Sequence, residues 1–173
     1  NIQQQPDNLP TPGAKPVFDS RPPNVPDGAM LQHFKGVEIK AAQPCFSPDT
    51  AILMDFRCDQ SRGIHFIYLL PYSPTEALVE STMLSPKRQD DQFYAEAINT
   101  YLETYWATGG WQVNHTEQGC IPMAFVQPAN PDYLPIGANG GCVRPSSGYA
   151  FAFIQKHTDA IVDRLVLRGP APL

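Results

Sequence analysis

Two apolar segments joined by a short connection dominate the middle of the chain and limit the folds that it can adopt. Residues 64–70 read IHFIYLL, and residues 77–84 read ALVESTML. The turn residues Ser73, Pro74 and Thr75 between them predict an antiparallel hairpin. In the first segment, apolar side chains occupy both sets of alternating positions, which is typical of a strand buried on both faces. The rest of the chain is therefore expected to build a sheet around this pair.

The second segment carries one ionisable group, Glu80, in its middle. With a period of two, Glu80 shares a face of the strand with Leu78, Thr82 and Leu84. A carboxyl group among apolar side chains is costly unless it is paired, protonated or directed into a cavity. The pattern alone is equally consistent with a solvated or ion-paired strand residue and with a proton donor in a functional site.

The remaining sequence predicts an α+β fold, a mostly antiparallel β-sheet with two main helices. Before the hairpin, strands are predicted at residues 15–19, 30–41 with a bulge at Gly36, and 50–58, most simply as a meander that runs into it. After it, we expect a helix that Ser85 caps and Pro86 begins, which ends before Gly109, and short strands at 111–115 and 120–125. A last helix is predicted from about residue 148 to 167. The corresponding regions are 1–28 (a proline-rich loop with a short strand), 29–135 (the sheet, with a helix at about 86–107) and 136–173 (a glycine-rich turn and the C-terminal helix).

Composition excludes several classes of function. The net charge is −5 and the basic residues are scattered, so nucleic acid is not expected as a partner. The four cysteines show neither a CxxC pair nor zinc-type spacing with the histidines, which favours separate thiols in a cytoplasmic protein and no metal site. No signal peptide and no apolar run of membrane-spanning length is found in the sequence. Because the chain opens on Asn1 rather than Met, we expect it to be a fragment or a processed product.

A second feature is the glycine-rich turn before the last helix. Gly137, Gly140, Gly141 and Gly148 lie between a short strand and that helix, and two serines at 146–147 are available to cap it. Free backbone N–H groups at a helix start bind anionic groups, and glycines let a ligand approach the main chain. The turn lacks GxGxxG and the lysine of a phosphate-binding loop. A ligand-binding turn and a purely structural turn therefore remain open as interpretations.

Three blocks of sequence carry a further indication. The first comprises MDFR at 54–57, FIYLLPYSP at 66–74 and ALVEST at 77–82; the second comprises WQV at 111–113 and EQGCIPM at 117–123; the third comprises PIG at 135–137, GG at 140–141 and PSSGY at 145–149. In this order and spacing, they resemble the flavin-dependent lycopene cyclase family from about residue 17 to 166. Two departures are evident. The family's N-terminal dinucleotide fingerprint and C-terminal helical part are missing, and Ser81 stands where the family usually has a second acid.

The resemblance implies that the chain is the substrate-side portion of a larger FAD-dependent, Rossmann-containing α/β enzyme. The implied activity is that of a lycopene cyclase, an isomerase or intramolecular lyase that cyclises a carotenoid end group with no net redox change. It implies bound FAD in its reduced form, with NAD(P)H as a candidate reductant, held mainly by parts outside this chain. A linear carotenoid as substrate further implies a cytoplasmic protein in peripheral contact with a membrane.

The site residues implied by the resemblance fall into two groups, and no metal ligand is among them. They are Glu80 as the catalytic acid, Phe66, Tyr68, Tyr72 and Leu78 as substrate-binding residues, and Gly137, Gly140, Gly141, Pro145, Ser146, Gly148 and Tyr149 as cofactor-binding residues. Two other interpretations stay open, a flavin-dependent monooxygenase or reductase of the same architecture and a non-catalytic carotenoid-binding relative. The non-catalytic interpretation stays open because a serine, rather than an acid, stands at position 81. The sequence indicates no oligomeric state.

Overall fold

The computed structural model describes residues 16–168, which fall into two compact units. Gly28–Pro122 forms the larger unit, and of the described residues 16–27 and 123–168 form the smaller one. The strands and helices are β1 (Phe18–Asp19), β2 (Leu31–Ala41), β3 (Ile52–Asp55), β4 (Ile64–Pro71), β5 (Glu76–Ser85), α1 (Asp91–Tyr105), β6 (Trp111–Pro122), β7 (Leu134–Pro135) and α2 (Phe151–Arg168). The prediction of an α+β fold with a mostly antiparallel sheet and two main helices is confirmed.

The predicted hairpin forms the centre of the larger unit. Strands β4 and β5 pair in antiparallel fashion, from Ile64 opposite Leu84 to Pro71 opposite Ala77. The hydroxyl of Ser73 stabilises the connection because it accepts hydrogen bonds from two backbone N–H groups at the start of β5. The distances are 3.2 Å from the Thr75 nitrogen and 3.0 Å from the Glu76 nitrogen. This local hydrogen bonding is what serine offers a turn.

The strands around the hairpin differ from the prediction in their order. The sheet runs β3-β4-β5-β2-β6, so β2 pairs with β5 and β6 rather than with the next strand in a simple meander. The register of β2 with β6 shifts between Glu38 and Ile39 and not at Gly36, so the predicted position of the bulge was wrong.

Two short strands were predicted where the structure has the single strand β6. The polar stretch between them does not break the strand, because β2 supplies ladder partners throughout it. Gly119, for instance, lies opposite Phe34, and a Cβ added to this glycine would lie 2.5 Å from the Phe34 ring. The glycine thus accommodates an aromatic side chain of the neighbouring strand, a known use of glycine in strand interiors.

Helix α1 begins later than predicted. Its N-cap is Asp90, whose carboxylate accepts the Phe93 N–H at 2.9 Å. Ser85 cannot cap the helix because it is the last residue of β5, and its hydroxyl donates to the Lys87 carbonyl at 2.7 Å. The helix ends at Tyr105, where the Trp106 N–H closes on the Leu102 carbonyl.

Helix α1 packs on one face of the five-stranded sheet, and the two faces of the sheet carry different side chains. On the helix face, side chains of β2, β4, β5 and α1 form the hydrophobic core, which includes Val37, Ile39, Ile67, Leu69, Val79, Ile98, Tyr101 and Leu102. The alternate residues of the same strands form what we call the acid face; it carries Phe34, Gly36, Glu38, Phe66, Tyr68, Leu78, Glu80, Thr82, His115 and Glu117. Burial of each large apolar side chain on the helix face contributes about 1.5–3 kcal/mol, so the core holds β4 and β5 in register.

The smaller unit contains a short parallel strand pair and a buried asparagine. Strand β1 pairs in parallel with β7, with Phe18 opposite Leu134, and covers only the end of the predicted strand, of which Lys15 lies outside the described residues. Asn139 is buried and ties this unit together, since its amide donates to the Asp19 carbonyl at 3.1 Å and accepts the Ala129 N–H at 2.9 Å. Within residues 16–168, neither α1 nor α2 has the length and apolar character that crossing a bilayer requires.

Candidate functional site

The acid face places four residues in one row across four strands. Tyr68 on β4 lies opposite Glu80 on β5, Glu80 lies opposite Gly36 on β2, and Gly36 lies opposite Glu117 on β6. Directly opposed residues of neighbouring strands project on the same side of a sheet. The row therefore brings two carboxyl groups, Glu80 and Glu117, to one face with a glycine between them.

Gly36 has a specific effect on this row. A Cβ built at this position would lie 3.0 Å from both Cγ and Oε1 of Glu117 and 3.3 Å from Cδ1 of Leu78. The Glu117 side chain thus extends over the backbone of Gly36, towards the strand that bears Glu80. Any larger residue at position 36 would compete for the space that the Glu117 carboxylate occupies.

Glu80 is half-buried, and its environment favours the protonated form. Its pKa is raised above the ordinary value chiefly by burial, and the negative charge of Glu117 raises it further. The Thr82 hydroxyl donates to Oε1 of Glu80 at 2.5 Å, and this hydrogen bond acts in the opposite direction. Desolvation is thus the dominant cause, as it is for carboxyl groups that serve as proton donors in apolar sites.

Aromatic side chains surround the acid on the same face. Phe66 is buried and packs edge-to-face against Tyr68, with ring centroids 5.3 Å apart, and against Phe56 at 5.7 Å. Burial raises the pKa of Tyr68, and the charge of Glu80 raises it further. Leu78 lies on this face next to Gly36. The structure thus places Phe66, Tyr68 and Leu78 on one face with Glu80, and their role in substrate binding stays a prediction.

Tyr72 lies at the edge of this group, directly after β4, and is 56% exposed. Its pKa is raised first by burial of part of the ring and then by the charges of Glu38 and Glu117. These interactions show that Tyr72 is near the acid face, although it is not part of the row that contains Glu80.

Position 81, where the resemblance led us to expect a second acid, points to the other face. Ser81 is fully buried on the helix face, and its hydroxyl lies 2.8 Å from Nε2 of His65. A second carboxylate is nevertheless present on the acid face, because β6 contributes Glu117. Sequence reasoning missed Glu117 as a site residue; the available signal was the EQG block, which places an acid two residues before a glycine in a strand next to β2.

A cavity of about 310 Å³ lies on the helix face rather than on the acid face. Its cations are already engaged, since Arg57 pairs with Asp55 at 2.6 Å and stacks on Tyr105, and Arg62 donates to Gln89 at 3.1 Å. These contacts stabilise the connection between β3 and β4. We therefore locate the candidate chemistry on the acid face. The ion pair there, Lys40 with Glu76 at 3.6 Å, involves neither Glu80 nor Glu117.

The glycine-rich turn lies in the smaller unit. Gly137, Gly141 and Gly148 have left-handed φ values of 61°, 72° and 69°. A Cβ at Gly137 or Gly141 would meet no atom within 4 Å, so the main chain is open to a ligand at both positions. Gly140 is different, because its Cβ would lie 2.7 Å from the Pro135 carbonyl oxygen and 2.9 Å from His157, which identifies a packing role.

The hydrogen bonds of this turn limit how it could hold an anionic group. The N–H groups of Gly140, Gly141 and Gly148 donate to carbonyls within the turn, at 3.1, 3.1 and 2.9 Å. Helix α2 begins at Phe151 rather than near residue 148, so the expected serine cap was wrong: Ser147 instead accepts the Tyr149 N–H at 3.4 Å. Free N–H groups are provided by the first turn of α2, as at any helix start.

The remaining predicted cofactor residues, Pro145, Ser146 and Tyr149, lie in the loop between the glycines and α2, where Ser146 and Tyr149 are exposed. The open side of Gly137 and Gly141 and the start of α2 fit the approach of a flavin or its phosphates. In the part of the chain that the structure describes, no three His, Cys, Asp or Glu side chains are grouped to hold a metal ion.

Comparison with known proteins gives a consistent result. A family model described as "Lycopene cyclase protein" matches residues 7–172. A lycopene beta-cyclase of Paracoccus sp. is 33% identical over 81% of this chain, and one of Pantoea ananas is 30% identical over 88%. A third, from Pseudescherichia vulneris, is 29% identical over 82%. The chain spans only 37%, 41% and 38% of the lengths of these relatives.

The fold also resembles that of a solved structure. A geranylgeranyl bacteriochlorophyll reductase-like protein from Thermoplasma acidophilum superimposes with a TM-score of 0.57 at 13% identity, over 86% of this chain and 38% of that one. At this level of identity the likeness concerns the fold alone.

Proposed function

Because the chain belongs to the lycopene cyclase protein family, we propose that it forms the acid-bearing part of an enzyme that cyclises the end group of a linear carotenoid. The observation that carries this proposal is the environment of Glu80, a half-buried carboxyl group whose pKa is raised by burial on a face lined with aromatic and aliphatic side chains. Such a group keeps its proton at a pH where an ordinary glutamate has lost it.

The chemistry follows from that proton. The O–H bond of Glu80 breaks as a C–H bond forms at the terminal alkene of the substrate, which leaves a tertiary cation. The π electrons of the next alkene then form the C–C bond that closes the ring. A neighbouring C–H bond then breaks, its electron pair forms a double bond, and its proton goes to a base, for which the Glu80 carboxylate left by the first step is available. The product is thus an isomer of the substrate, and no electrons are gained or lost overall.

The other side chains of the acid face stabilise the cation and shield it from water. Aromatic rings stabilise a cation through their faces and cannot trap it as a nucleophile would. Phe66 and Tyr68 are the rings closest to Glu80 in the strand register, with Tyr68 directly opposite it. Leu78 contributes an apolar surface that excludes water, which would otherwise capture the cation.

We extend the proposal to a bound, reduced FAD, for which the residues of the smaller unit provide partial support. Gly137 and Gly141 leave the main chain open to a planar ring or a phosphate, and the first turn of α2 offers N–H groups. When bound, reduced FAD would supply an electron-rich ring that favours a nearby cation. Peripheral membrane contact is also proposed, since the substrate is a hydrocarbon and Phe125 in the smaller unit is 89% exposed.

Substitution of Glu80 in the full-length protein tests this function. Glu80→Gln keeps the size of the side chain and removes the transferable proton, so ring formation is expected to fall by at least about a hundredfold, within the range of general acid catalysis. Product colour in a lycopene-accumulating host and the flavin content of the purified protein are the two measurements. Glu103→Gln, at an exposed position of α1, is the matched control and is expected to keep full activity.

Retained cyclisation in the Glu80→Gln variant would remove Glu80 from the mechanism. Oxygen consumption or NAD(P)H turnover in step with product formation would instead indicate a flavin monooxygenase or reductase. A wild-type protein that binds carotenoid without converting it would indicate a non-catalytic relative.

A further inference from the structure

We propose that Glu117, held over Gly36, is a positioning residue that acts through Glu80 by keeping its proton in place. The inference rests on the function proposed above and adds a residue to it. Its basis is geometric: Glu80, Gly36 and Glu117 are consecutive members of one row across β5, β2 and β6, and the middle member has no side chain to separate the two acids.

The distances define how close the second acid comes. Adjacent strands lie about 4.8 Å apart, so two carboxylates separated by one intervening strand would usually lie about 10 Å apart with both side chains upright. Glu117 does not stand upright, since its Cγ and Oε1 occupy the space 3.0 Å from the position of a Gly36 Cβ. The side chain thus leans across β2 and brings its negative charge closer to Glu80.

The charged and titratable groups on this face leave Glu117 as the one that acts on the acid. Tyr68 faces Glu80 from β4, Glu38 lies on β2 opposite His115 of β6, and Tyr72 follows β4. Lys40 and Glu76, four residues further along β2 and β5, form an ion pair with each other at 3.6 Å. The charge of Glu38 acts on Tyr72, whereas the charge of Glu117 acts on both Tyr72 and Glu80. A negative charge next to a carboxylic acid opposes its ionisation, as in any pair of carboxyl groups that share a site.

This arrangement predicts a defined pH response. Cyclisation requires the protonated form of Glu80, so kcat falls as pH rises through the pKa of Glu80. Removal of the charge at position 117 lowers that pKa, and the alkaline limb of the pH profile moves to lower pH. On the acidic plateau, where Glu80 is fully protonated in both proteins, the kcat values are expected to be equal.

The experiment is the pH dependence of kcat and KM for the full-length enzyme with lycopene in liposomes, for wild type and Glu117→Gln. Above the wild-type midpoint, kcat of Glu117→Gln is expected to be roughly threefold to tenfold lower, with KM unchanged. Gly36→Ala displaces the Glu117 side chain without removing its charge, and the same shift in smaller size is expected. Glu38→Gln is the matched control, with the same change of charge on the same face, and its profile is expected to coincide with wild type.

The outcomes separate this inference from the proposed function. If Glu80→Gln is inactive while the profiles of Glu117→Gln and Gly36→Ala coincide with wild type, the inference is overturned and the proposed function stands. If Glu117→Gln is inactive on the acidic plateau as well, Glu117 takes a direct part in the reaction and the positioning role is wrong. If Glu80→Gln retains activity, both fail together. Should Glu117→Gln not fold, Gly36→Ala alone decides through the presence or absence of the shift.

Discussion

The two faces of the five-stranded sheet are built from alternate residues of the same strands, yet they hold their polar groups in different ways. On the helix face, the Tyr94 hydroxyl donates to Nδ1 of His33 at 2.6 Å, and Nε2–H of His33 donates to Ser85 at 2.9 Å. His65 is bound in a similar way, with Nδ1–H donating to the Asp59 carbonyl at 2.9 Å and Nε2 accepting from Ser81 at 2.8 Å. Both ring nitrogens of each buried histidine are thus hydrogen-bonded, and burial lowers the pKa of both side chains, which favours their neutral forms.

The acid face shows the opposite pattern. Glu80 has one hydrogen bond, from Thr82, and the charge that raises its pKa is that of another acid, Glu117. A buried polar group that is fully paired stabilises the fold, whereas one left with a like charge beside it costs stability. The polar groups of the helix face are thus arranged for stability, whereas the acid face holds a perturbed carboxyl group of the kind that tends to lie at functional sites. The proposed proton transfer depends on this difference.

The two faces also respond to pH with opposite sign. Burial lowers the pKa of His33 and of His65, so their contribution to stability is present above the ordinary histidine pKa of about 6.5 and is lost as pH falls through it. The pKa of Glu80 is raised, so its contribution is fully present below the ordinary glutamate pKa and is lost as pH rises through the folded-state value. Acidification therefore weakens the helix face while it relieves the acid face.

The largest difference between the faces is expected in the free energy of unfolding when a histidine on each face, His65 or His115, is replaced by alanine. His65→Ala removes a fully buried side chain and leaves the Ser81 hydroxyl without its partner, so the free energy of unfolding of the full-length protein should fall by about 2–4 kcal/mol. His115→Ala, on an exposed position of β6, should change it by less than about 0.5 kcal/mol. Urea denaturation compares the two, and equal losses would show that the faces do not differ in this way.

A smaller effect should come from placing an acid at position 81, where the resemblance led us to expect one. Ser81→Asp places a carboxyl group beside His65 on the helix face, so we expect a loss of about 1 kcal/mol in stability at pH 8 that diminishes as His65 becomes protonated. The alkaline limb of the activity profile, which reports Glu80, should stay where it is in wild type. Ser81→Asn is the control, because asparagine has nearly the same size as aspartate and carries no charge. A shift of the limb in Ser81→Asp alone would mean that position 81 acts on Glu80 after all.

The sequence predicted those parts of the fold that depend on local pattern. The hairpin and the face of Glu80 followed from the period of two in residues 64–84, because alternation alone decides which side chains share a face. The start of α1 was wrong because Ser85 followed by Pro86 fits a helix start in the local sequence. Only the structure shows that the Ser85 hydroxyl donates to the Lys87 carbonyl and that Asp90 caps the helix.

The candidate site was predictable only in part, for a related reason. Glu117 extends over Gly36 in the direction of Glu80, and the strands that carry Gly36 and Glu117, β2 and β6, are separated in sequence by the whole of β3, β4, β5 and α1. No local periodicity reports such pairings. The glycine turn was visible as a motif, but the internal hydrogen bonds that occupy the N–H groups of Gly140, Gly141 and Gly148 depend on the conformation of the turn.

The most direct test of the account is the protonation state of Glu80 itself. Carboxyl ¹³C resonances of the full-length protein, labelled at glutamate and assigned by comparison with Glu80→Gln, can be followed as a function of pH. The account predicts that Glu80 titrates clearly above the ordinary glutamate pKa of about 4.3. A midpoint at or below that value would show that Glu80 is ionised at neutral pH and would contradict its role as the proton donor.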